Sequence, residues 1–235
     1  MPKTYLRLTQ RNVGLPFAFI IIVLVLYGCE TSPSPIIVHQ DTWNSVRIMY
    51  DPSADPPHDH PYNLTPAQLV QILKGMWVKE RNRVIGFGLF MEEQGRPAFS
   101  NQEISLLAPY LSQALQKASP KDLVTFYILG NGGKQGSLVT SGGLYVQNGR
   151  LYFILANYRS AFSDAANINV TGTELDNRDY PLEPIRRYKF SVGFSPADSW
   201  IPYDRARSLP GYQPYPDPAL RVVIDLTKLF EKVHP

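Results

Sequence analysis

Apolar residues return every three or four positions between Asn101 and Ala118, where Ile104, Leu107, Ala108, Leu111, Leu115 and Ala118 form one continuous stripe. That period predicts an amphipathic helix. Ser100 and Glu103 have the spacing of a capping box at its start, and Pro120 bars its extension. Pro109 lies inside the stripe; its ring clashes with the carbonyl four residues back and it has no N–H to donate, so a kink or break is expected between Ser105 and Pro109. A shorter helix is expected after the Thr65-Pro66 pair, which supplies an N-cap and a first-turn proline. Leu69, Ile72 and Leu73 give it an apolar face, and Gly75 ends it.

Elsewhere the period is two, which predicts strands. Met76 to Phe90 reads as one strand, or as two turning near Arg81 and Asn82, with Gly86 and Gly88 leaving one face bare. Asp122 to Leu129 is another. Ser137–Gln147 and Arg150–Tyr158 flank Asn148-Gly149, the dipeptide suited to the positive φ angles of a two-residue hairpin turn. Arg187 to Phe194 places Tyr188, Phe190, Val192 and Phe194 on one face, and Arg221 to Leu226 supplies a last strand. No regular strand–helix alternation suggests a parallel sheet. The fold class expected is α+β: a mainly antiparallel sheet with the Asn101–Ala118 helix packed across one face.

The amino-terminal pattern is of another kind. Lys3, Arg7 and Arg11 precede a charge-free run from Asn12 to Gly28 that is almost purely aliphatic or aromatic between Phe17 and Leu26, which is how an export signal reads. Leu26-Tyr27-Gly28-Cys29 resembles the lipobox of bacterial lipoproteins, although Tyr27 stands where a small residue is commoner. That resemblance implies cleavage before Cys29 and a thioether-linked diacylglycerol on its sulfur. The alternative is an uncleaved anchor, but a spanning helix wants roughly 20 apolar residues, and this run is shorter and contains Pro16. Either way, the chain after Glu30 is expected outside the cytoplasmic membrane. Two or three acyl chains would hold it there, since one chain gives only marginal binding.

Composition agrees with processing. Lys3, Arg7 and Arg11 account for the whole formal net charge of +3, because no acidic residue precedes Glu30. A balanced mature chain gives no electrostatic reason to expect a nucleic-acid partner. Cys29 is the only cysteine, so no internal disulfide can form, and lipidation removes what would be a free thiol in an oxidising compartment. The domains expected are a signal peptide (1–28), the lipidated cysteine with a proline-rich tether (29–61) and a single α+β globular domain (62–235). The tether includes the apolar patch Ile36-Ile37-Val38, leaves room for one short strand at Ser45–Tyr50, and ends in DPSADPPHDHP.

Candidate chemistry is sparse. His58-Asp59-His60 pairs two potential metal ligands, but it lies among prolines with no third ligand placed by spacing, so a solvated linker is expected, with no metal and no cofactor. GNGGKQGS, Gly130 to Ser137, fails as a phosphate loop because Gln135 follows Lys134 and Ile128 replaces the earlier glycine. Ser137 and Ser141 lack the nucleophile elbow, and the acid pairs Glu92-Glu93 and Asp176 with Asp179 read as solubilising charge, so no catalytic residue is assigned. From Tyr180 to Tyr215 the chain interleaves aromatics, prolines and arginines, the residue types that carry most interface energy. Trp200, Tyr203, Arg205 and Tyr212 are the candidate binding residues there, against the simpler expectation that these aromatics cover core.

FSNQEISLLAPYLSQALQKASPKDLVTFYI followed by TSGGLYVQNGRLYFILANYRS resembles a pattern found in bacterial envelope lipoproteins of unassigned activity. The resemblance brings no catalytic or binding residues and implies location alone. Glu30 follows the cysteine where the inner-membrane retention signal has Asp, which favours the periplasmic leaflet of the outer membrane. The function expected is non-enzymatic binding of another envelope component, a protein or a glycan. The alternatives are a small-ligand or glycan binder, and a hydrolase whose active-site residues form no motif.

Overall fold

A computed structural model describes residues 33–80, 95–131, 137–161, 178–185, 190–206, 209 and 220–231, with the side chains of Tyr203 and Asp204 excepted. The signal segment, Cys29, Gly86, Gly88, Tyr188 and Tyr212 lie outside these residues.

Ten strands and four helices follow one another in the described chain. They are β1 (Ile36–Gln40), β2 (Asn44–Tyr50), α1 (Pro66–Gly75), β3 (Met76–Glu80), β4 (Arg96–Pro97), α2 (Asn101–Lys117), β5 (Asp122–Asn131), β6 (Ser137–Gln147), β7 (Arg150–Ala161), β8 (Phe190–Phe194), β9 (Trp200–Ile201), α3 (Tyr203–Ala206), β10 (Arg221–Asp225) and α4 (Leu226–Glu231). Seven strands form one sheet in the order β1-β2-β5-β6-β7-β10-β9, and three form a smaller one, β4-β3-β8. Every pairing among the described strands is antiparallel. The protein is therefore α+β and mainly antiparallel, as its periodicity predicts.

Local chemistry explains the boundaries. Thr65 and Gln68 close a reciprocal capping box at the start of α1, and Ser100 and Glu103 do the same for α2. Asn148 and Gly149 adopt φ of 51° and 68°, the left-handed pair a two-residue hairpin needs, so Gln147 faces Arg150 and the β6–β7 register follows. Pro109 does not break α2, which runs unbroken from Asn101 to Lys117. Ser105, whose carbonyl the proline leaves without an intrahelical donor, is exposed, where water can serve it. The buried stripe from Ile104 to Leu115 holds both halves against the same sheet.

That stripe packs, with Leu69, Ile72 and Leu73 of α1, on one face of the large sheet. This face is built from alternate residues: Val46 and Ile48 of β2, Val124 and Phe126 of β5, Leu144 and Val146 of β6, Leu151 and Phe153 of β7, and Val222 and Ile224 of β10. The opposite face carries a second apolar cluster of Leu123, Tyr145, Tyr152, Ile154, Val223 and Ala206, against which Leu182, Ile201 and Leu209 pack. Both faces of the sheet are thus covered, one by α1 and α2 and one by Leu182, Ala206 of α3 and Leu209.

The largest correction concerns the tether. The compact unit begins at Ser34, not at residue 62. β2 pairs with β5 along its full length, and β1 forms the sheet edge beside it, with His39 stacked on Tyr110 of α2 at 3.9 Å. The proline-rich stretch after β2 is stitched to the fold through groups that prolines do not remove. The N–H of Asp51 donates to Lys121 O (2.8 Å), that of His58 to Pro120 O (2.8 Å) and that of Asp59 to Val146 O (2.8 Å). Gln147 Nε2 donates to Pro56 O (2.8 Å). Proline density excludes a stretch from sheet ladders but leaves its carbonyls and flanking N–H groups free to bond elsewhere.

Candidate functional site

The hairpin register places Tyr145 directly across from Tyr152 on the face away from the helices, and their rings stack with centroids 4.7 Å apart at 4°. His58, from the proline-rich stretch, stacks on Tyr145 at 4.2 Å, and His60 lies 5.6 Å from His58. Both histidines are buried, at 3% and 4% exposure, which overturns the expectation of a solvated linker.

The two imidazoles have different duties. His58 Nε2 donates to Asp51 Oδ2 (3.0 Å), while His60 Nε2 accepts the N–H of Val146 (3.2 Å). A nitrogen that accepts carries no proton, so His60 is held neutral. Burial, with the neighbouring His58 adding to it, drives its pKa from 6.5 to about 4 against the opposing pull of Asp122 and Asp59. Asp51 Oδ1 accepts from the backbone N–H and the hydroxyl of Ser53, at 2.9 and 2.6 Å. Burial alone would raise the Asp51 carboxyl, but the hydrogen bonds from His58 and from Ser53 outweigh it and hold the pKa below its usual value. Burial is also the main reason the Tyr152 phenol is raised, against Arg150 and Arg221 and with a small push from Asp59, so it stays protonated.

Beside this layer a half-enclosed cavity of about 350 Å³ opens over the sheet. Met49, Tyr50, Leu123, Tyr145 and Ile154 line it from the sheet, Leu182 from the covering segment, and Asp51 to Ser53 from the chain after β2. The covering segment is pinned by polar groups rising from the same face. Ser141 Oγ donates to Pro181 O (2.6 Å), Asn157 Nδ2 donates to Glu183 O (2.8 Å), and Asn157 Oδ1 accepts the N–H of Ile185 (2.8 Å). Arg178, at the start of the segment, lies over the Tyr127 ring at 5.4 Å and donates to Asp41 O and Thr42 O. Leu182 is therefore held in place.

Of the aromatic segment, Leu182 lines this cavity, and Trp200 and Arg205 do not. Trp200 packs on the main core, edge-on to Trp77 with centroids 5.7 Å apart. Arg205 is exposed at the end of α3. The Tyr203 side chain and Tyr212 fall outside the described residues, and so does Cys29. Among the described residues no three His, Cys, Asp or Glu side chains gather as a metal site, and no helix is long and apolar enough to cross a membrane. The Asp51–His58 pair has the geometry of an orienting dyad, but the nearby hydroxyl of Ser53 bonds the carboxylate and not the imidazole. A nucleophile–base contact is what acyl-transfer chemistry requires, and this arrangement is instead suited to fixing one carboxylate at a cavity wall.

No protein-family model, no curated protein and no solved structure matches the chain. The geometry of the site is what bears on its function.

Proposed function

We propose that this chain is a lipid-anchored binding protein of the bacterial envelope, attached through a diacylglycerol on Cys29 and facing the periplasm from the outer membrane. Its folded domain takes a small, mainly apolar envelope component. One observation carries the ligand half of this proposal: the cavity over Met49, Leu123, Tyr145, Ile154 and Leu182, about 350 Å³ in volume, lies within the range of small-molecule sites. It has an apolar lining with a few placed polar groups, which is the composition such sites share.

Filling the cavity tests it. Leu182 is only partly buried, so Leu182→Trp adds volume at the cavity wall with little cost to the core. An aliphatic alcohol such as n-hexanol, titrated into the full chain in zwitterionic nanodiscs, is expected to raise stability by about 2.7 kcal/mol at a hundred times Kd. The same titration of Leu182→Trp should give no shift. Equal stabilisation of both proteins would place binding elsewhere.

The anchor half rests on the Leu26-Tyr27-Gly28-Cys29 quartet and the charge-free run before it. Labelled palmitate is expected to enter the wild-type chain, which fractionates with membranes, and to be absent from Cys29→Ser. Labelling that persists in the variant would exclude Cys29 as the acylated residue.

A second reading, binding of another envelope protein, is favoured by a different observation. Ile36 and Ile37 on the edge strand β1, and Trp43 in the β1–β2 turn, are each more than half exposed. Open strand edges with apolar side chains invite a partner strand.

A further inference from the structure

We infer that the cavity selects a cationic amphiphile: an apolar body bearing one protonated amine, whose charge rests against the Asp51 carboxylate. The inference depends on the cavity being the ligand site and adds the chemical class of what enters it.

Three features of Asp51 lead there. The first is a carboxylate that, among the described residues, pairs with no arginine or lysine. The Asp51 side chain is 10% exposed and the His58 side chain beside it fully buried. His58 donates through Nε2, and its Nδ1 has no hydrogen-bond partner. His60 is neutral because its Nε2 accepts from Val146. Arg47, on the same sheet face as Met49 and two residues before it, is engaged by Asp179 and by Gln40. Among the described residues, His58 is the one ion-pair partner of Asp51.

The second feature is an open acceptor position. A carboxylate offers about four lone-pair sites. Oδ1 takes two donors from Ser53 and Oδ2 takes one from His58, leaving one position on Oδ2. The third is the surroundings: Asp51 and Ser53 sit in a lining otherwise made of Met49, Pro52, Leu123, Ile154 and Leu182 with the Tyr50 and Tyr145 side chains. Ionised Asp51 is stabilised by its hydrogen bonds, yet it still faces a poorly solvating space, where an opposite charge gains most. A fatty acid would bring a like charge to the same wall. A neutral alcohol would fill the acceptor position and leave the charge.

The test compares n-hexylamine, n-hexanol and hexanoate by isothermal titration at neutral pH, using the full chain in zwitterionic nanodiscs with empty nanodiscs as reference. A charge-assisted hydrogen bond exceeds a neutral one by enough to give about a tenfold preference. Hexylamine is expected to bind about tenfold tighter than hexanol, with hexanoate weakest. Asp51→Asn should bring the amine to the level of the alcohol, with its circular dichroism spectrum reporting that the variant is folded. Equal affinity for amine and alcohol in the wild type, or tightest binding of hexanoate, overturns the inference while the cavity remains a ligand site. A preference that survives Asp51→Asn overturns the role of that carboxylate. Failure of all three compounds to bind the wild type removes the cavity site and the inference with it. The wild-type comparison decides the matter even if Asp51→Asn does not fold.

Discussion

Lowering the pH from 6.5 to 4 is expected to remove about 3 kcal/mol of folding stability through His60 alone, because the pKa of the buried ring is depressed from 6.5 to about 4. The sign follows from which state binds the proton. The unfolded chain takes it up near pH 6.5, while the folded chain resists until about pH 4, so protons favour unfolding across that window. The contribution is whole above pH 6.5, falls as the pH drops, and is spent below about 4. The structural cause is burial of the ring, to which His58 adds, and the Val146 N–H, which donates to Nε2, leaves no place for a proton there. Protonation there would put two donors face to face in a buried site, beside a second histidine 5.6 Å away. Urea unfolding between pH 7.5 and 4 measures the slope. His60→Gln keeps an acceptor near the Val146 N–H and cannot titrate, so its stability should be almost flat from 6.5 to 4.5. A variant that loses stability as steeply as the wild type would refute the assignment. Asp51 acts at lower pH: its carboxyl is depressed, so its contribution is present above the ordinary carboxylate value and lost on further acidification.

That linkage also shows what the sequence made legible and what it concealed. Thr65-Pro66, Ser100 with Glu103, and Asn148-Gly149 act on backbone within four residues of themselves, so their helices and hairpin could be read directly. The turn held more than the hairpin. Once Asn148 and Gly149 occupy a two-residue loop, Tyr145 must face Tyr152, and a stacked tyrosine pair was available as a signal for the site. The partners of His58 and His60 were not available in that way. Asp51 comes beside His58 only through a turn among prolines, and Val146 meets His60 across 86 residues of sequence. Proline density in DPSADPPHDHP describes what that stretch cannot do in a ladder and is silent on its docking against β6. The short strand expected at Ser45–Tyr50 forms as β2, but its place inside the sheet was hidden for a related reason. NSVRIMY alternates inward Val46 and Ile48 with outward neighbours, but its pairing partner Asp122–Ile128 is distant, and the surrounding prolines outweighed the alternation. In the aromatic segment, the simpler expectation of core-covering holds at Trp200. Tyrosine, tryptophan and arginine mark interfaces when exposed, whereas Trp200 spends its ring on Trp77 and the core.

Phe126→Ala is expected to cost about 3–5 kcal/mol, the range for removing a buried aromatic ring. Phe126 is 1% exposed at the centre of the helix-facing core, with the Phe99 ring 5.8 Å away and the Phe153 ring 5.6 Å away. Phe99 also meets Phe153 at 6.0 Å, so removing the one ring leaves two others without a shared neighbour, at a place where α2 and the sheet prevent collapse. The same ring explains Gly142 on the neighbouring strand: a Cβ there would come 2.9 Å from Phe126 Cζ and would overlap the carbonyl oxygen of Ile154 on β7. Gly142→Ala is therefore expected to destabilise by about 1–3 kcal/mol through overpacking. The two changes have opposite volume, and a simple void-filling account predicts that each relieves the other. The geometry predicts only slight relief, because the nearer obstacle to a Cβ at Gly142 is backbone, and truncating Phe126 leaves the Ile154 carbonyl where it was. A double-mutant cycle in urea separates the cases. A double variant about as unstable as the two losses combined identifies the β6–β7 backbone approach as the constraint on Gly142. Near-complete rescue would show that the ring, and not the carbonyl, demands the glycine.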